Sequence, residues 1–372
     1  MRRLSFLLAF PLAFSLIGAA PPAFIEHTIA SDLKGGYQVV VADLNHDGRP
    51  DLIALASGLH ELVWFENPGW QRHVLAVNQN RMINCAVIGD EIVLASEFAN
   101  QAKDSIGIVS VLRANGDPRE PWTATEIDRL TTSHRLRVAD IFGNGKPVVV
   151  NAALTGAAAA APDYRDQTPM VYYVPGEWKR RMIGTENSGV VHGIFITDWD
   201  GNGREGILSA SFNGIHLFHY GKDGQWTRTE IAKGDPAAWP KSGSSDIAIG
   251  HLGKARFLAA IEPWHGNQVA VYSERGGKWE REVIDATLSD GHTIQLADLN
   301  GDGNSEIVAG FRGAPHSVYV YTYDAAAKRW NRSDLANGTM GAAACAIADL
   351  NQDKRPDIAC IDSTRLKWYE AR

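Results

Sequence analysis

VVVADLNHDGRPDLIALAS, residues 39–57, holds two apolar runs on either side of an acidic turn with a glycine at its tip. Such a pattern makes two antiparallel strands joined at a tight corner. Relatives of this stretch recur as RVADIFGNGKPVVVNAA at 137–153, FITDWDGNGREGILSAS at 195–211, IQLADLNGDGNSEIVAG at 294–310 and AIADLNQDKRPDIACID at 346–362. Two decayed copies, CAVIGDEIVLASEF at 85–98 and IAIGHLGKARFLAAIE at 247–262, fill the gaps and bring the count to seven. A period near fifty residues is the mark of a repeat architecture.

An independent series agrees. Trp70, Trp122, Trp178, Trp226, Trp279 and Trp330 each open a short segment such as WQRHVLA or WEREVID, with gaps of 52, 56, 48, 53 and 51 residues. Each repeat therefore reads as strand, acidic turn, apolar strand, aromatic strand and Trp-led strand, which is a propeller blade. The seventh repeat stops at its third strand, RLKWYEAR, while FIEHTIA at 24–30 matches the Trp-led segment with Phe24 in the Trp position. The expectation is an all-β, seven-bladed propeller of four-stranded blades, its ring closed by strand 24–30 joining the C-terminal blade.

Composition fits a folded chain of 372 residues, with 45% hydrophobic and 21% charged residues and 36 Gly against 3 Cys. The opening MRRLSFLLAFPLAFSLIGAA has a basic start, an apolar run and a small-residue end, so 1–20 reads as a signal peptide and 21–372 as one propeller domain. Removing Arg2 and Arg3 would take the formal charge from −7 to −9, which disfavours nucleic acid as a partner. No later apolar run is long enough to span a bilayer, so a periplasmic or secreted protein is expected. Cys85, Cys345 and Cys360 read as buried free thiols, although the last two could face each other across a hairpin.

In the first turn Asp43, Asn45, Asp47 and Asp51 occupy positions 1, 3, 5 and 9, with Gly48 at 6; Asp298, Asn300, Asp302 and Glu306 repeat this around Gly303. Alternate oxygen ligands around a glycine suit calcium, yet Asp and Asn also cap tight turns with no metal. Other copies depart from the set, with Phe142, Gly206 and Lys354 at ligand or glycine positions. The DLNxDGxx[DE] turns resemble those of the FG-GAP or VCBS repeat propellers over nearly the whole chain. That resemblance implies structural calcium in some turns.

In a propeller the first strand of each blade lines the central channel. Six residues before each acidic turn stand Tyr37, His134, His192, His292 and Ala343, with Ser245 in the decayed fifth copy. His134, His192 and His292 thus form a candidate site for a divalent metal such as zinc or manganese, or an acid/base site. Inheritance of one histidine through repeat duplication would give the same register without a shared ligand. The loops on the same end add Glu97, Arg135, Asp290, Glu262, Trp264, His265 and Arg312, with Tyr164 and Arg165 in an insertion at 154–169. Glu262 and Arg312 could form an ion pair with each other, and Trp264 could be a packed loop aromatic.

This mixture of ionisable and aromatic side chains suits a carbohydrate or other small polar ligand. The segment Glu262-Pro263-Trp264-His265-Gly266, followed by QVAVY, resembles the propeller domain of the aldos-2-ulose dehydratases, which eliminate water from keto-sugars. The resemblance implies elimination of water from a keto-sugar. The gathered side chains suggest how: some of His134, His192 and His292 would hold a metal that polarises the carbonyl, His265 or Glu262 would remove the adjacent proton, and Arg312 would stabilise the enolate or orient a carboxylate, with His292 a further catalytic candidate; Trp264, Glu97, Arg135, Asp290 and Tyr37 would contact substrate. The alternative is a non-catalytic glycan- or protein-binding propeller. Walker loops, nucleophile elbows and paired-cysteine motifs are absent from the sequence.

Overall fold

The computed structural model describes residues 21–186 and 188–372, so the segment read as a signal peptide lies outside the described residues. Among the described residues twenty-eight strands, β1–β28 in chain order, form seven four-stranded antiparallel sheets. Six blades are built from consecutive strands, while the seventh has the order β1-β28-β27-β26. Here β1 (Phe24–Ala30) pairs with β28 (Leu366–Ala371), from Phe24 opposite Ala371 to Ala30 opposite Leu366. No helix among the described residues is long and apolar enough to cross a membrane.

The seven innermost strands abut one another around the ring. They are β2 (Gly36–Ala42), β6 (Asn84–Ile88), β10 (Ser133–Ala139), β14 (Val191–Thr197), β18 (Asp246–Leu252), β22 (Gly291–Ala297) and β26 (Ala344–Ala348). Second strands such as β3 (Asp51–Ala56) and β23 (Glu306–Phe311) are buried at every residue, because both faces pack against neighbouring blades. This is why DLIALA and EIVAGF read as near-continuous apolar runs rather than alternating ones. The core is correspondingly divided into clusters that straddle blade boundaries, such as the one joining Val39, Ala54 and Phe65 to Ala359 and Ile361.

The acidic turns are held by their own amides. Asp43, Asp140, Asp198, Asp298 and Asp349 each accept hydrogen bonds from the backbone four and five residues ahead, at 2.8–3.2 Å. The capping is the same in turns that keep the full acidic pattern and in those that lost it. Position 9 has a second duty: Asp51 accepts from Leu44 N and Asn67 N, both at 2.9 Å, and Glu306 from Leu299 N at 2.8 Å and Asn300 Nδ2 at 3.1 Å. Burial pushes Asp51 up to about 6 and Glu306 up to about 7, partly offset by these donors. Their oxygens thus staple the turn to its strand.

The expectation of three free thiols is corrected. Register sets Cys345 directly opposite Cys360 on β26 and β27 (Asp357–Ile361), and the two form a disulfide, leaving Cys85 as a buried free thiol.

One buried histidine outside the channel makes stability depend on pH. His216, on β16 (Gly214–Tyr220), is 4% exposed, and burial, followed by the charge of Arg228, pushes it down to about 4. The folded state thus binds this proton less readily than the unfolded chain. Its contribution is complete above the ordinary histidine value and is lost as pH falls toward 4. Between pH 7 and pH 5 a His216→Gln variant should lose about 2 kcal/mol less stability than the wild type, measured by urea unfolding at both pH values.

Candidate functional site

Four of the innermost strands share one irregularity. The pairing of β2 with β3 skips Tyr37; that of β10 with β11 (Val148–Ala153) skips His134; that of β14 with β15 (Gly206–Ser211) skips His192; and that of β22 with β23 skips His292. A bulge frees one residue from the ladder and re-aims its side chain. Here four bulges at one register turn a tyrosine and three histidines toward one end of the channel. The other three innermost strands pair without a register shift.

The fourth histidine of the cluster comes from a loop. After β19 (Ala255–Glu262) the chain makes a tight turn in which Gly266 N bonds Pro263 O at 2.8 Å, and His265 takes a left-handed backbone with φ 49°. Gly266 is required by close approach, since a Cβ there would stand 2.2 Å from Glu262 O. This turn carries the His265 ring to 5.0 Å from that of His192 and 5.1 Å from that of His292.

His192, His265 and His292 are the one group among the described residues with three or more His, Cys, Asp or Glu ligand atoms within 4.8 Å of one another. The gathered set differs in one member from the trio of His134, His192 and His292 read from register: His265 stands in it, and His134 lies beside it. The Nδ1 atoms are anchored from behind. His192 Nδ1 lies 3.2 Å from Ser245 Oγ, His292 Nδ1 donates to Ala343 O at 2.5 Å, and His265 Nδ1 lies 3.3 Å from Asp290 Oδ1. The Nε2 atoms of His192 and His265 approach to 3.4 Å, while His292 Nε2 is buried with no partner.

An orphaned buried imidazole nitrogen beside two others, each ring oriented by a second group, fits a divalent metal of the zinc class. Ligation also requires neutral rings. Burial, reinforced by the charges of Arg135 or Arg312, holds His192 and His292 well below the usual histidine range; burial and then Arg312 push His265 down to about 4.

His134 lies beside the trio, its ring 5.0 Å from that of His192. Its Nε2 is 3.1 Å from the Tyr37 hydroxyl and 3.2 Å from Arg135 Nη1, and burial, then Arg135, holds it well below the usual range. Tyr37 faces a cavity of about 390 Å³ whose lining also includes His134, His192, Trp264, His265 and Arg312. Trp264 supplies an aromatic wall backed by Tyr164 and Phe212. Arg165 instead packs over Trp239, 4.3 Å from the ring centre.

Several residues expected at this end have other partners. Glu262 is fully buried: it accepts from Ser244 Oγ at 2.6 Å, from the Tyr272 hydroxyl and from Arg281 Nε at 2.7 Å, so it neither pairs with Arg312 nor reaches the cavity. Arg312 pairs with Asp290 through two hydrogen bonds of 2.9 and 3.0 Å, with its Nη2 3.2 Å from His265 Nδ1. Glu97 is tied to Arg81 and Asn80, and it is Arg81 that lines the cavity. Arg135 is buried beside His134, outside the cavity lining.

Residues 106–275 match the family model of the β-propeller domain of aldos-2-ulose dehydratase, and residues 298–360 match an FG-GAP-like repeat. The first match contains His134, His192, Trp264 and His265. The chain is 24% identical to the aldos-2-ulose dehydratase of Phanerodontia chrysosporium, over 76% of its own length and 35% of that relative. It thus spans about a third of the relative's length.

Proposed function

We propose that this propeller is an exported dehydratase of a keto-sugar or oxidised glycoside, acting at the histidine end of the channel. The observation that carries the reading is the convergence of the His192, His265 and His292 ligand atoms within 4.8 Å, with each Nδ1 held from behind. The similarity to a dehydratase propeller supports the reaction class. A divalent transition metal, zinc or manganese, bound by these three nitrogens would supply Lewis acidity toward a carbonyl oxygen.

The chain's own groups account for the proton and the positioning. Trp264 offers an apolar face to a sugar ring. Arg312, fixed by Asp290, is positioned to donate to a carbonyl or hydroxyl oxygen of the substrate through Nη1, which its two bonds to Asp290 leave unused. Tyr37 and His134, joined at 3.1 Å, form the acid–base pair. The pair takes the proton from the carbon beside the carbonyl and gives one to the hydroxyl departing from the next carbon. One C–H and one C–O bond break, a C=C bond forms, and water leaves. Calcium bound in the Asp43 or Asp298 turns would steady those turns without taking part in the chemistry.

Elemental analysis of the purified protein, together with mass spectrometry of a panel of keto-sugars and their parent aldoses, tests the reading. The expected result is about one transition metal per chain and loss of one water from a keto-sugar but not from its parent. Tyr37→Phe should lower kcat by about 100-fold or more while metal content stays unchanged. Calcium alone, with no keto-sugar dehydrated by the zinc- or manganese-loaded protein, would favour a binding propeller.

A further inference from the structure

A second cavity, of about 510 Å³, opens beside the first, between the sixth, seventh and first blades. Tyr37, Ser57 and Arg312 line both, so the two are neighbours that share these three residues. Each volume falls within the roughly 300–1,000 Å³ range of ligand pockets. The proposed dehydration draws on the shared wall of Tyr37 and Arg312 and on no other residue of the second cavity.

Its lining has a definite chemistry. Part of it is glycine backbone: Gly36 runs so close to the seventh blade that a Cβ would stand 2.2 Å from Asp362 O, and Gly341 contributes another stretch free of side chain. Two guanidinium groups face the cavity, and each is already paired. Arg312 is held by Asp290, and Arg365 is held by Asp362 through Nε at 2.9 Å and Nη2 at 2.6 Å. In both pairs Nη1 has no protein partner among the described residues. His316 Nδ1 donates to Arg312 O at 2.6 Å, which leaves its Nε2 for a ligand.

Charge-compensated guanidinium groups retain directional donors but lose most of the net field that would select an anion. Together with an imidazole, the exposed Ser363 hydroxyl and the edge of Tyr37, they suit a neutral, hydroxyl-rich ligand.

We propose that this cavity is a second sugar subsite. The substrate is then a keto-disaccharide or a glycoside that bridges Tyr37, with its keto unit at the histidines and its unreacted unit against Arg365 and His316. The assignment of the keto unit rests on the dehydratase reading; the sugar subsite itself does not.

Titration calorimetry with glucose, cellobiose, maltose, lactose and inorganic phosphate tests the subsite without turnover. At least one disaccharide should bind about 10-fold or more tightly than glucose. Ser363→Trp, which fills the cavity from an exposed loop, should remove that advantage. Arg365→Gln should reduce it as well, which covers the case of a misfolded tryptophan variant. Equal affinity for glucose and every disaccharide, tighter binding of phosphate than of any sugar, or an advantage that survives both substitutions would overturn the subsite. Disaccharide selectivity in a protein that dehydrates no keto-sugar would sink the dehydratase and leave the subsite standing.

Discussion

The His192→Ala/His292→Ala double variant should retain its propeller, lose its transition metal and turn over keto-sugar at least about 1,000-fold more slowly than the wild type. The magnitude follows from the role assigned to the site. Lewis-acid stabilisation of a developing charge is worth several kcal/mol, and about 4 kcal/mol corresponds to a thousandfold in rate. His134→Ala separates the structural assignment from the one that register alone suggests. It removes the partner of Tyr37 but none of the three gathered ligands, so activity should fall while metal content stays near the wild-type level. If His134→Ala lost the metal and His265→Ala kept it, the ligand set would be the one read from strand register. The anchors extend the test. Asp290→Asn and Ser245→Ala each loosen one ring without deleting it and should weaken metal affinity by about 10–100-fold. An unchanged metal content in the double variant, measured alongside its circular dichroism, would remove the site altogether.

The ring was legible because a blade is a local unit: seven copies of one turn and six spaced tryptophans reflect strands that pair mainly with their sequence neighbours. The common position of Tyr37, His134, His192 and His292 was legible for the same reason. What aims them inward, a bulge in each of four blades, leaves no mark in composition, because it is a property of backbone register. His265 was visible as a rim residue but not as a member of the trio. Its place depends on a left-handed loop conformation, and no counting along strands reaches it. The acidic turns are legible as turns, and their packing adds what spacing does not show. Their spacing is that of a cation site, while their carboxylates accept from the loop's own amides, and position 9 turns into the blade.

Glu262 presents the sharpest contrast between what sequence suggests and what packing permits. It sits beside Trp264 and His265, yet its carboxyl group points between the strands of its own blade and has no exposed surface. Burial raises its pKa, against hydrogen bonds from Ser244 and Tyr272 and the charge of Arg281. Glu262→Ala would leave Arg281 with only Asp235, 3.7 Å away, for a carboxylate partner, and would strip the Tyr272 hydroxyl of its acceptor. Deleting one member of a buried ionic pair costs about 3–5 kcal/mol, so the variant should unfold at markedly lower urea concentration. Glu262→Gln fills the same space and retains an acceptor for Ser244 or Tyr272, so it should cost less than the alanine change. Activity decides what the residue does. Counted per folded molecule, Glu262→Gln should turn over keto-sugar within a few-fold of the wild type, because the carboxyl group is tied to Ser244, Tyr272 and Arg281 inside the blade and does not line the cavity. A fall as deep as that of the His192→Ala/His292→Ala variant, at full folding and full metal content, would mean that the carboxyl group reaches the reaction and that its burial is relieved when substrate binds.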